Sequence, residues 1–183
     1  MPQGKLIVIS GPSGVGKGTI VRKLLEQDNK LSLSVSATTR KKRLGEVAGR
    51  DYYYFTKEQF EEFIEENKFA EYAKYAGHYY GTLCSSVNME LAKGKYLLLE
   101  IDVQGAFQIK EKYPDAKLIF IMPPNLSELK NRLLDRNTET PEAIKHRLSQ
   151  VDREISCAKY FDIKIVNDDI ELATLAVLEA IYS

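Results

Sequence analysis

Residues Gly11–Thr19 read Gly-Pro-Ser-Gly-Val-Gly-Lys-Gly-Thr. They follow the continuous apolar run Lys5–Ser10 and open an amphipathic stretch, Lys17–Gln27. A buried strand that ends in a glycine-rich turn and feeds a helix turns consecutive backbone N–H groups toward one point. The positive end of the helix points the same way, so the turn is built to hold an anion. Lys17 adds a mobile cation that can follow charge on the β- and γ-phosphates of a nucleotide. Gly11, Pro12, Ser13, Gly14, Val15, Gly16, Lys17, Gly18 and Thr19 are therefore expected to form a nucleotide phosphate loop, the alternative being a plain glycine-rich turn. The strict motif has Ser or Thr directly after the lysine. Gly18 stands there and Thr19 follows, so the spacing leaves open which hydroxyl faces a metal ion. The loop says nothing of what happens to the phosphate.

The rest of the chain supports a sheet under that loop. Leu31–Ala37, Tyr96–Ile101, Leu118–Met122 and Ile163–Val166 read as further strands. Helical patterns lie between or after them at Gln104–Tyr113, Ser127–Asp135, Pro141–Lys159 and Ile170–Tyr182. Apolar strands alternating with helices predict an α/β fold of three layers, a parallel five-stranded sheet with helices on both faces. At 183 residues, one domain with inserts is expected. The 26 basic and 26 acidic side chains cancel, which argues against a generic nucleic-acid binder. Cys84 and Cys157 are too few for a disulfide scaffold, and no Cys/His cluster has zinc spacing. No apolar run is long enough to span a membrane, and no signal peptide is recognisable, so a cytoplasmic protein is expected.

Thr38–Leu91 breaks the rhythm. Thr38–Arg50 carries five basic residues and one acid. Arginine forks suit phosphate oxygens, although such a run can also be a solvated loop. Thr56 and Gln59 form a capping box for a helix that puts Phe60, Phe63 and Ile64 on one face and its glutamates elsewhere. An insert beside a phosphate site is a candidate substrate cover.

Five segments in order then carry a specific resemblance: GPSGVGKGT at Gly11–Thr19, TTRKKRLGEVAGRDYYYF at Thr38–Phe55, GHYYGT at Gly77–Thr82, EIDVQGA at Glu100–Ala106 and VNDD at Val166–Asp169. The chain resembles the guanylate kinases, P-loop kinases that move a phosphoryl group from ATP to GMP. The resemblance implies a P-loop NTPase-type core (1–37, 83–125 and 160–183), a mixed α/β GMP-binding insert (38–82), and an arginine-bearing lid with its following helix (126–159). It implies that Ser36, Arg40, Arg43, Tyr52 and Tyr80 hold the GMP phosphate, and that Glu71, Thr82 and Asp102 read the guanine. Arg132, Arg136 and Arg147 would approach the transferring group, with Lys17 and Arg40 completing the catalytic set. Asn167 would lie near the adenine of ATP. Mg²⁺ would accompany ATP, with Thr19 and Glu100 as its nearest protein groups, directly or through water.

Guanine offers N1–H and an exocyclic NH₂, both donors, which suits carboxylates. Adenine has an acceptor at N1, and such mismatches discriminate strongly. The implied partners are ATP and GMP, with dGMP, and neither nucleic acid nor membrane; oligomeric state is not legible. Two departures stand out: Asp135-Arg136-Asn137-Thr138 where the family often has Gly-Arg-Gly-Thr, and Glu100 where aspartate is common. The rival readings are a kinase for another monophosphate and a non-catalytic binding module. Modules of the second kind are expected to have lost the loop lysine, which is intact here.

Overall fold

The computed structural model describes residues 4–127, 129 and 141–183, with the backbone alone over 141–148. Its elements, in chain order, are β1 (Lys5–Ser10), α1 (Lys17–Gln27), β2 (Leu31–Leu33), β3 (Ala37–Thr38), β4 (Tyr53–Tyr54), α2 (Lys57–Glu65), β5 (Phe69–Tyr75) and β6 (His78–Leu83). There follow α3 (Cys84–Ala92), β7 (Tyr96–Glu100), α4 (Val103–Lys112), β8 (Lys117–Met122), α5 (Pro141–Ser156), a 3₁₀ turn (Cys157–Tyr160), β9 (Ile163–Val166) and α6 (Ile170–Tyr182).

Five strands form one sheet in the order β2-β7-β1-β8-β9. The register is parallel at β2/β7, β1/β8 and β8/β9. Consecutive residues of a strand face opposite sides of its sheet. Leu6–Ser10, Leu97–Leu99 and Leu118–Ile121 are buried without a break, so both faces of the central strands are covered, as the continuous apolar runs predict. A second sheet, β4-β3-β6-β5, comes from the insert. Its small core is Ala37, Phe60 and Phe69, with Phe63 and Ile64 packed against it. Phe60 and Phe69 stack at 4.1 Å between centroids. The Thr56/Gln59 capping box forms at the start of α2, as expected.

Leu31–Ala37, expected as one strand, is divided between the two sheets. Leu31–Leu33 pairs with β7, and the Ser34 N–H still reaches Leu98 O at 2.9 Å. The chain then changes sheets, and Ala37 and Thr38 pair with β4 and β6. Alternating side chains satisfy either sheet equally, so the pattern could not show the change of partner. The expected helix over Ser127–Asp135 lies largely outside the described residues.

The chain divides into two compact units. One is Met1–Leu6, Lys30–Leu99 and Gln104–Ala116, and the other is Ile7–Asn29, Glu100–Val103 and Lys117–Ser183. In the second, the Lys23–Glu171 ion pair at 2.5 Å and the Tyr182–Asp28 hydrogen bond tie α1 and its C-terminal flank to α6. Among the described residues no helix is long and apolar enough to cross a membrane.

Candidate functional site

The glycine-rich loop takes the form its sequence demands. Gly11, Gly14 and Gly16 all have positive φ, at 147°, 83° and 102°, a region costly for other residues. A β-carbon at Gly11 would collide with the Ile121 carbonyl of β8. Gly16 caps α1 in a left-handed conformation, and the first turn of the helix contains no acid. The partial positive charge of that helix end is therefore unopposed by its own first turn. Val15 is fully buried and anchors the loop.

Asn167, at the end of β9, fixes the loop from beneath. Its side-chain amide donates to Val15 O at 2.8 Å, and its own N–H donates to Met122 O. It is only 5% exposed.

Lys17 Nζ turns back onto its own loop, donating to the carbonyls of Gly11 and Pro12. Burial lowers its pKa, and Glu100, Glu154 and Asp102 oppose that loss of charge, in that order. Glu100 ends β7. A β-carbon at Gly18 would lie 3.5 and 3.6 Å from its two carboxylate oxygens, so this carboxylate faces the start of α1 beside Thr19. Burial raises the Glu100 pKa and Lys17 pulls it back. Asp102 follows β7, directly ahead of α4.

Glu154, on α5, is a member of this group that the sequence did not reveal. Burial raises its pKa, against the pull of Lys17, and the Ser13 backbone N–H donates to it. Its Oε2 is buried with no hydrogen-bond partner among the described residues. It lies 141 positions beyond Ser13, and nothing in spacing connects them.

The other unit holds a second constellation. The Thr38/Tyr80 and Ala37/Gly81 pairs join β3 to β6. Arg40 follows β3, with its N–H on Thr38 Oγ1 at 3.1 Å. Its guanidinium lies 5.2 Å from the Tyr52 ring and hydrogen-bonds with the Tyr80 phenol. The Tyr52 and Tyr80 rings meet edge-on at 6.2 Å. Three of the five residues expected to hold the GMP phosphate are thus in mutual contact. Ser36 precedes β3, its carbonyl bound by the Tyr53 N–H at 2.9 Å. The Arg43 side chain is exposed.

The structure adds Glu46. Its carboxylate grips Arg40 through both oxygens and also takes the Arg43 N–H and the Tyr54 hydroxyl. The only sequence signal for it was its place as the single acid in the basic run.

Glu71 and Thr82 face each other across β5 and β6 and are buried to 5% and 0% exposure. The Thr82 hydroxyl donates to Glu71 Oε1 at 2.6 Å. Gly81 makes this pairing possible, because a β-carbon there would lie 2.7 Å from the Glu71 carbonyl. Asp102, expected to share the guanine with Glu71, belongs to the unit of the phosphate loop. Arg132, Arg136 and the lid lie outside the described residues, and Arg147 is described as a backbone position of α5 only.

Known proteins give both constellations a context. The family model described as Guanylate kinase matches residues 3–183. A guanylate kinase from Thermosynechococcus vestitus is 50% identical over 180 residues, covering 98% of this chain and 94% of its own. One from Lactococcus lactis is 50% identical over 179 residues, covering 98% and 87%. The crystal structure of guanylate kinase from Anaplasma phagocytophilum superposes with a TM-score of 0.78 at 34% identity, covering 100% of this chain and 86% of that one.

Proposed function

Because the chain belongs to the guanylate kinase family and transfers a phosphoryl group from ATP to GMP, we propose that its residues divide this work between a donor site and an acceptor site. The observation that carries the proposal is the contact of Arg40 with Tyr52 and Tyr80 within the insert, apart in sequence from the glycine loop.

In the donor site, backbone N–H groups of residues 11–19 cradle the ATP phosphates and the α1 N-terminus adds positive charge. Lys17 leaves the Gly11 and Pro12 carbonyls and follows the β- and γ-phosphates. Asn167 holds the loop that does this at the adenine end of the site.

Mg²⁺ fits here as a partner of ATP. Among the described residues no cluster of three or more His, Cys, Asp or Glu could hold a metal alone. One carboxylate, Glu100, faces the turn that bears Thr19. Magnesium generally binds through one or two carboxylates plus substrate phosphates and keeps several waters. Glu100 and Thr19 would hold it, directly or through water, and when bound it supplies neutralising charge between the phosphates.

In the acceptor site Arg40, Arg43, Tyr52, Tyr80 and Ser36 bind the GMP phosphate, and Glu71, Thr82 and Asp102 read the base. The attacking group is a phosphate oxygen of GMP. With a second pKa of ~6 the phosphate is mostly dianionic at neutral pH, so no protein base is needed. The protein aligns two anions and offsets their repulsion. Arg132, Arg136 and Arg147 serve the group in transit. The reaction runs in the cytoplasm on free nucleotides.

Calorimetric titration of Lys17→Ala and Arg40→Ala with GMP and with Mg·ATP tests the division. Lys17→Ala weakens ATP binding selectively and Arg40→Ala weakens GMP binding selectively. Equal weakening of both ligands by Arg40→Ala would remove Arg40 from the acceptor site.

A further inference from the structure

A guanidinium has five N–H donors, and three of those on Arg40 are spent inside the loop. Both donors on Nη1 are used, one to Lys41 O at 2.8 Å and one to Glu46 Oε2 at 3.1 Å; one on Nη2 goes to Glu46 Oε1 at 2.7 Å. Subtraction leaves the Nε–H and the second Nη2–H, the donors open to the Tyr80 phenol and to a ligand. These share the other long edge of the plane, the second edge that can bind two oxygens side by side. Tyr80 reaches the same guanidinium, and the Tyr52 ring lies beside it.

Glu46 is held as firmly as it holds. Its N–H bonds Arg43 O at 3.2 Å across a turn whose third residue, Gly45, has φ +87°. That is a type II requirement, met without strain by glycine. In return the Arg43 N–H donates to Glu46 Oε2 at 2.7 Å, and the Tyr54 hydroxyl of β4 donates to the same oxygen at 2.8 Å. The side chains of Arg40 and Glu46 are 11% and 19% exposed, so this is no loose surface pair.

We infer that Glu46 is a positioning residue for the acceptor phosphate: it takes the end-on fork of Arg40 so that the Nε–Nη2 edge is the one presented to GMP, and it locks the Arg43 backbone in the same turn. This rests on the reading of Arg40 as a phosphate ligand. The step is one of orientation. An arginine free to rotate must be ordered at each binding event, and a bidentate carboxylate does that ordering in advance.

Glu46→Gln is the discriminating change. The amide oxygen can take the Oε2 place and keep Arg43 and Tyr54. The amide NH₂ then faces an Arg40 N–H, donor against donor, and the fork is broken. Steady-state kinetics of the wild type, Glu46→Gln, Arg40→Ala and the double variant form a cycle.

The expected result is a fall of about tenfold or more in kcat/KM for GMP with Glu46→Gln, carried by KM. KM for ATP stays within about twofold, and the double variant is no worse than Arg40→Ala alone. A GMP effect that adds fully to that of Arg40→Ala, or a shift in the melting temperature with KM for GMP unchanged, overturns the positioning role. If Arg40→Ala itself leaves KM for GMP unchanged, the phosphate-ligand reading falls and the Glu46 role with it. If Arg40→Ala raises that KM and Glu46→Gln does not, only the Glu46 role falls.

Discussion

A β-carbon at Gly16 would lie 2.6 Å from Nδ2 of Asn167, so the bare backbone at residue 16 is what lets the Asn167 amide reach the Val15 carbonyl. The pairing joins the end of β9 to the phosphate loop. Residue 16 is also left-handed, at φ +102°, so a side chain there fails twice, by space and by backbone conformation.

Asn167→Ala removes the donor to Val15 O, a buried acceptor of the loop. Leaving a buried acceptor unmet costs about 1–3 kcal/mol. The expected outcome is a lower melting temperature and a raised KM for ATP, with KM for GMP unchanged. Differential scanning calorimetry and steady-state kinetics read the two effects separately.

Lys17→Ala should stop turnover and spare the fold. The lysine's bonds are to carbonyls of its own loop, and its removal relieves a partly desolvated charge. Loss of one donor to developing charge typically costs about 10²–10³-fold in kcat. Circular dichroism and a thermal melt close to wild type, with kcat down by about that factor, are expected.

Glu46 makes stability sensitive to acid. Hydrogen bonds from the Arg40 side chain and the Arg43 backbone, with the smaller contribution of Tyr54, lower its pKa from 4.5 to about 2. Between these values the unfolded chain binds more protons than the folded one, so stability rises with pH across the window. The contribution is complete above 4.5 and is lost as pH falls through about 2. Glu46→Gln should flatten the acid limb of a stability–pH curve between those values and leave its slope near neutrality unchanged. Denaturant midpoints measured across the range check this.

Glu71→Gln should weaken the acceptor site alone. Hydrogen bonds to a charged group contribute about 1.5–3 kcal/mol, so KM for GMP should rise roughly 10- to 100-fold while KM for ATP holds. The exchange keeps the size of the side chain and allows the Thr82 hydroxyl a partner. A large loss of stability would point instead to a structural role for the buried Glu71–Thr82 pair.

The parts of the fold that depend on local pattern were legible in the sequence. The glycine spacing of residues 11–16 gave the loop, because each positive φ is a backbone need only glycine meets cheaply. The unbroken apolar runs gave the central strands, and Thr56 with Gln59 gave the start of α2. The features that depend on which distant segment comes alongside were hidden. Leu31–Ala37 divides between two sheets whose side-chain period is the same. Glu154 reaches Ser13 from a helix near the other end of the chain. Glu46 was visible only as an odd acid among basic residues, because its grip on Arg40 follows from a turn at Gly45. The resemblance puts Asn167 beside adenine, whereas its hydrogen bond to the loop carbonyl depends on the fold bringing β9 and the loop together.

The most direct measurement is ADP release with Mg·ATP and each of GMP, AMP, CMP and dTMP, or with no acceptor, by wild type and Glu71→Gln. GMP alone should support rapid release by the wild type, with GDP as the second product, and Glu71→Gln should lose most of that efficiency through KM for GMP. Equal use of AMP and GMP by the wild type, or an unchanged KM for GMP in Glu71→Gln, would contradict a guanine-reading acceptor site built on Glu71.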